Sequence, residues 1–201
     1  MCPLRYVALG DSYTIGTAVT APERWPDQLV ARVPGLDLIA NLAVNGWTSG
    51  DVRSRQVAAA LALDPDVVTL LVGVNDVVQG VAEDAYRANV EAILVALLAR
   101  LPADRILCVE TPDYTVMPAG ADYGDPATMR AGIVRCNEIL RETAHARGVP
   151  FVDGILAISA EAAGDPSLVA GDGLHPSGAQ YRRWVEERID PAAREWTAAG
   201  R

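Results

Sequence analysis

The chain contains no lysine: all 17 of its basic residues are arginine. That skew is a composition bias and carries no functional signal; the placement of the arginines does. They are scattered, and 26 acidic residues leave a net charge of -9. Affinity for a phosphate backbone comes from clustered cations. Nucleic acid is therefore excluded as a partner, and no basic run marks a membrane-surface patch. Cysteine is scarce as well. Cys2, Cys108 and Cys136 are odd in number, form no CxxC pair and have only two histidines to join them. They make no zinc site, and they read as idle thiols of a reducing compartment. The first apolar run begins by residue 4, with no charged and apolar leader before it. No apolar run approaches the roughly 18 residues of a membrane span. No integral membrane association is expected, and the expected location is cytoplasmic. Repeats, low-complexity tracts and linkers are missing too. The 201 residues are expected to form one domain, 1–201, with a core at about 4–189 and a short helical tail.

Half of the residues are hydrophobic and 21% are charged, the profile of a globular chain able to bury a full core. Five short apolar runs, at 4–9, 36–43, 66–72, 105–110 and 149–152, alternate with helical segments. Several are unbroken Val, Leu and Ile, as strands buried on both faces should be. Strands interleaved with longer helical patterns imply βαβ units and a parallel sheet, an α/β fold. Thr20 and Glu23 resemble a capping box for a helix through about Val33. The segment 82–101 carries Tyr86, Val90, Ile93, Leu94, Leu97 and Leu101 on one stripe, so this helix should lie flat on the sheet. Asp125 and Pro126 form an N-cap and N1 pair for a helix that buries Met129, Ile133, Cys136, Leu140 and Ala144 and stops at Gly148. A last helix starts near Ser177, buries Tyr181, Trp184, Val185 and Ile189, and is expected to break at Asp190-Pro191. Two long irregular stretches remain, 111–128 and 164–176, and loops of that length inside a domain are often functional.

The chemistry-bearing residues stand at strand ends. The first strand stops in Gly10-Asp11-Ser12, where glycine permits a sharp turn. A serine there lies on the edge where α/β sheets place ligands, with a helix N-terminus beside it. Asp172 lies three residues before His175 in Gly171-Asp-Gly-Leu-His-Pro176. An imidazole within reach of Ser12 could take its proton, and a carboxylate on the other ring nitrogen would fix the tautomer. His145, in the last turn of a helix, needs no role beyond meeting the helix dipole. After the second strand comes Asn41-Leu-Ala-Val-Asn-Gly46, and after the third Gly73-Val-Asn75-Asp76. A glycine N–H and an asparagine amide are the donors an oxyanion hole uses. Trp25, Trp47, Tyr114, Met117 and Tyr123 fall in loops that could border such a site.

Ser12 in GDS, Gly46, Asn75 in GxND and His175 in DGLHP together resemble the four blocks of the SGNH hydrolases, the GDSL esterase/lipase family. They stand in the family's order, and the resemblance covers residues 5 to about 189. Tyr13 stands where many members have leucine. The resemblance implies a flavodoxin-like three-layer α/β/α fold on a five-stranded parallel sheet. It implies a serine hydrolase in which Ser12 attacks an ester carbonyl, His175 is the general base and Asp172 orients it. The oxyanion hole would combine the Ser12 N–H, the Gly46 N–H and the Asn75 side chain, and Asp11 would hold the turn. No metal and no organic cofactor is implied. The expected substrate is a small or short-acyl ester, bordered by Tyr13, Trp47, Tyr114 and Met117. Glycan O-acetyl esters, lysophospholipids and thioesters are the alternatives within the family. From other classes, a catalytically silent carbohydrate- or protein-binding relative would have lost the Ser or His. A flavin or nucleotide binder would need a glycine spacing that Gly10-Asp-Ser-Tyr-Thr-Ile-Gly16 lacks.

Overall fold

The computed structural model describes residues 2–198. In chain order the elements are β1 (Leu4–Gly10), α1 (Ser12–Ile15), α2 (Trp25–Arg32), β2 (Leu36–Asn41), α3 (Ser49–Asp51), α4 (Val57–Ala62), β3 (Val67–Leu71) and α5 (Val74–Val78). They continue with α6 (Glu83–Leu98), β4 (Ile106–Val109), α7 (Pro126–His145), β5 (Phe151–Val152), α8 (Ile155–Glu161), α9 (Gly178–Trp184) and α10 (Asp190–Ala198). The five strands pair in parallel in the order β2-β1-β3-β4-β5. Winding therefore reverses between β1 and β3, and the crevice beyond the carboxyl ends of those strands is where such sheets bind ligands.

The pleat of each strand sends alternate residues to opposite faces. Tyr6 and Ala8 of β1, with Val67, Leu71, Leu107 and Val109, pack beneath Trp25, Leu29, Ile155, Trp184 and Ile189. Val7 and Leu9, with Val68, Leu70, Ile106 and Cys108, pack beneath Ala60, Val90, Leu94, Leu97, Ile139 and Leu140. Two apolar cores thus sandwich the sheet, which explains why the inner strands read as unbroken apolar runs. This is the three-layer α/β fold expected of the sequence.

Several local details differ from the sequence reading: the fifth strand is only Phe151–Val152, and α6 ends at Leu98. The second strand stops at Asn41, two residues early, because the Asn41 side chain turns the backbone: its Oδ1 accepts from Ala43 N (3.2 Å) and its Nδ2 donates to Thr14 O (2.7 Å). The Thr20/Glu23 box caps a single 3-10 turn, Ala21–Glu23, and α2 starts afresh at Trp25. Met129 is only partly buried, since it lies in the first turn of α7, at the margin of the core. Asp190-Pro191 does not break the last helix. A π turn over Val185–Ile189 joins α9 to α10, and such a turn shifts the hydrogen-bond register by one residue. The N–H that Pro191 lacks falls where that register is already interrupted.

Candidate active site

Ser12 opens α1 immediately after β1. Asp11 is its N-cap, accepting from Tyr13 N through Oδ1 (3.0 Å), and the short helix ends at Gly16 in the left-handed region (φ 72°). Gly10 sits at φ 155°, and a Cβ there would lie 2.4 Å from the Leu71 carbonyl oxygen; only glycine fits between β1 and β3. Asp11 is wholly buried, and its Oδ2 has no hydrogen-bond partner. Burial pushes its carboxyl up to about 7, the Tyr13 N–H opposes this, and the nearby Asp76 adds to it.

The loop before α9 supplies the imidazole. His175 Nδ1 and Asp172 Oδ2 are 2.6 Å apart, and Asp172 Oδ1 accepts from the backbone N–H groups of Leu174 and His175 (3.0 Å each). Partial burial works against ionisation of Asp172, but those two N–H groups and the imidazole hold its carboxyl below the usual range. Asp172 is thus an anion aimed at Nδ1, leaving Nε2 free to act as a base. The loop is fixed by Ala170 N donating to His175 O (2.8 Å), and the Tyr13 ring lies 5.2 Å from the imidazole, centroid to centroid.

Three side chains from one short segment hold the loop after β2. Asn75 Nδ2 donates to Trp47 O (3.0 Å), Gln79 Nε2 donates to Gly46 O (2.8 Å), and buried Asp76 accepts from both Ser49 N (2.9 Å) and Ser49 Oγ (2.5 Å). Asn89 Nδ2 reaches the same Ser49 Oγ (3.0 Å). Gly46 adopts φ 79°. Among the described residues, the backbone N–H groups of Ser12 and Gly46 donate to no protein acceptor.

These pieces share one cavity of about 190 Å³, lined by Ser12, Tyr13, Asn45, Gly46, Asn75 and His175, with Val74, Val78 and Leu174 as apolar wall. Tyr114 and Tyr123 close one side, their rings edge to face at 6.0 Å. Trp47 and Met117, expected beside the site, do not line it. The Trp47 ring is taken up by the Arg55 guanidinium, 5.4 Å from its centroid, and Met117 is buried with Ala162 and Leu168 in a small separate core. Trp25 is also absent from the rim: it opens α2 and is fully buried beneath the sheet.

Several residues around the site escaped the sequence reading. Asp113 is wholly buried and ion-paired with Arg130 of α7, while its Oδ1 accepts from Thr115 N (2.9 Å) and Oγ1 (2.6 Å). This pair ties the Tyr114–Tyr123 loop to the body of the protein. Gln56 and Gln79 likewise stand out in no motif. Only Thr48 and Asp51 carried a signal, a capping-box spacing that the structure realises at α3.

The sequence profile of the GDSL-like Lipase/Acylhydrolase family matches residues 8–183. The chain belongs to this family and is a serine ester hydrolase. Among solved structures, a variant of Axe2, an acetyl xylan esterase from Geobacillus stearothermophilus, is similar at TM-score 0.71 and 21% identity, over 97% of this chain and 95% of that one. LAE5, an alpha/beta hydrolase enzyme from the metagenome of Lake Arreo, is similar at TM-score 0.69 and 21% identity, over 98% of this chain and 97% of that one. At these identities the likeness is one of fold. No curated protein sequence matches the chain. Among the described residues, no helix is long and apolar enough to cross a membrane, and no cluster of His, Cys, Asp and Glu is arranged to hold a metal ion.

Proposed function

We propose that Ser12 attacks the carbonyl carbon of a short-acyl carboxylic ester and is transiently acylated. His175 Nε2 takes the Ser12 proton and delivers it to the leaving alcohol. It then draws a proton from water, which attacks the acyl-enzyme and releases the acid. Asp172 holds the imidazole in the working tautomer and offsets its charge. The oxyanion of each tetrahedral intermediate lies against the Ser12 N–H, the Gly46 N–H and the Asn75 amide, donors fixed before the substrate arrives. The observation that carries this reading is the 2.6 Å His175–Asp172 pair opening into the same cavity as Ser12, Gly46 and Asn75.

The short-acyl preference rests on size. About 190 Å³ is below the range of drug-sized sites, roughly 300–1,000 Å³, and it suits an acetyl to butyryl group better than a long chain. The catalytic residues run from position 12 to 175, and the whole chain is taken as one domain. The three free thiols and the net charge of -9 fit a reducing, cytoplasmic setting and a small-molecule substrate. A second reading, an O-acetylated sugar as the alcohol part, is favoured by the rim. Tyr123 is 45% exposed there, one of three large hydrophobic side chains in the open among the described residues, and a flat ring lining the same cavity as Asn45 suits a sugar face. The similar Axe2 is an acetyl xylan esterase, which agrees.

The experiment is hydrolysis of p-nitrophenyl esters from acetate to palmitate by wild type, Ser12→Ala and His175→Ala. Activity that peaks at short chains and disappears in both variants is expected. Full activity in Ser12→Ala would overturn the mechanism, and an optimum at palmitate would overturn the acyl assignment. An acetylated monosaccharide assayed beside p-nitrophenyl acetate, with Tyr123→Ala, separates the two alcohol readings: only a sugar ester should lose rate.

A further inference from the structure

We infer that Gln56 is a positioning residue for catalysis, the side chain that holds Gly10 where the nucleophile turn meets the oxyanion loop. The inference rests on Ser12 being the nucleophile. Its ground is an interruption in the sheet. On the β3 side, β1 stays paired to its last residue, Gly10 opposite Leu71. On the β2 side pairing ends at Ala8 opposite Asn41, so Gly10 has lost its strand partner two residues before Ser12.

The Gln56 amide takes that partner's place. Its Oε1 accepts from Gly10 N (2.9 Å) and its Nε2 donates to Gly10 O (2.7 Å). One side chain thus reproduces the donor and acceptor of a neighbouring strand at a point where the backbone is buried and an unpaired group would be costly. Gly10 O also receives a long contact from Val44 N (3.4 Å), and Val44 leads directly into Asn45-Gly46. The Gly10 carbonyl is therefore shared by the turn that presents Ser12 and the loop that presents Gly46, and Gln56 grips it.

The surrounding helix is built around this contact. Gln56 is 2% exposed and closes a π turn, Val52–Gln56, set between α3 and α4. A π turn is rare and is frequent at functional sites; here it carries a polar side chain into the end of the sheet. Gly10 is confined on its other side by the Leu71 carbonyl and Thr14, so the glutamine completes a clamp.

The test is Gln56→Met, which keeps the length of the side chain and removes both hydrogen bonds. Steady-state kinetics on p-nitrophenyl acetate, corrected for active sites titrated with diethyl p-nitrophenyl phosphate, should show kcat lowered tenfold or more with KM within threefold. The rate of Ser12 phosphorylation by the same reagent should fall in parallel. Leu97→Val, in the core under α6 and away from Gly10, serves as the control for lost stability and should leave kcat unchanged. If Gln56→Met does not fold, Gln56→Glu, which keeps the acceptor for the Gly10 N–H and loses the donor, gives the same reading. A kcat within twofold of wild type in a folded variant, or a loss matched by Leu97→Val, overturns the inference. Ser12→Ala keeps the two levels apart. If it is inactive while Gln56→Met runs at full speed, only the role of Gln56 falls; if Ser12→Ala is active, the nucleophile assignment falls first.

Discussion

Asp11 is the residue most at odds with its surroundings: a carboxyl with no exposed surface, one oxygen unpartnered, next in sequence to Ser12. With its folded pKa raised to about 7 above the ordinary carboxylate value near 4, the fold favours its neutral form. The stabilisation is complete below pH ~4 and is lost progressively as pH rises through 7. An asparagine in its place would keep an oxygen for the Tyr13 N–H, since asparagine caps helices as well as aspartate, and would carry no charge. Asp11→Asn is therefore expected to gain on wild type between pH 5 and pH 8, by on the order of 1–3 kcal/mol. Urea midpoints at the two pH values measure it, and an unchanging gap would show that Asp11 is not charged by that pH rise. At this scale much was legible. Ser12, Gly46, Asn75, Asp172 and His175 each sit in a short local pattern whose chemistry can be named. Gln56, Asp76 and Asp113 act on residues 46, 27 and 17 positions away, and nothing local to them records such partners.

Among the elements, the segment carrying Tyr114 and Tyr123 depends on few attachments. The Asp113–Arg130 pair fastens its base, and Ala119 N donating to Gly173 O (2.9 Å) joins it to the histidine loop. Arg130→Ala would leave Asp113 buried without its cation. Breaking a buried pair costs about 3–5 kcal/mol, but the Arg130 side chain is 46% exposed and Thr115 still serves one oxygen, so about 1–2 kcal/mol is expected here. Proteolytic nicking within 116–124 should speed up, and KM for esters should rise more than kcat falls. Unchanged cleavage would show that the ion pair does not hold the loop. Element types were well marked in the sequence because apolar period and caps are local. Element ends were less so: Asn41 stops β2 through its own side chain, and the π turn before Pro191 buries Val185 and Ile189 in the core shared with α2 and the sheet.

For the molecule as a whole, the sheet is a partition with a core on each side, and both cores are built from the same strands. Leu29 belongs to one core and Leu97 to the other, each fully buried. Leu29→Ala and Leu97→Ala should each cost about 2–5 kcal/mol, and the double variant should lose the sum within roughly 0.5 kcal/mol, because the two share no partners. One cooperative denaturation transition, seen alike by tryptophan fluorescence and circular dichroism, is expected in all of them. Two separate transitions would mean that the layers unfold independently. The strand order itself was not written in any local pattern; it follows from which helices cover which face, a property of the assembled chain.

The indole of Trp196 sits 6.2 Å from the Tyr6 ring and donates to Asp104 O (2.9 Å), while Arg105 reaches back to Trp196 O (3.1 Å). These contacts lie at the amino ends of β1 and β4, where the chain enters the sheet. The cavity opens at the carboxyl ends, on the far rim. A surface, a resin or a fused protein attached at either end of the described chain would therefore face away from the mouth, and the immobilised enzyme should turn over esters at the rate of the free one.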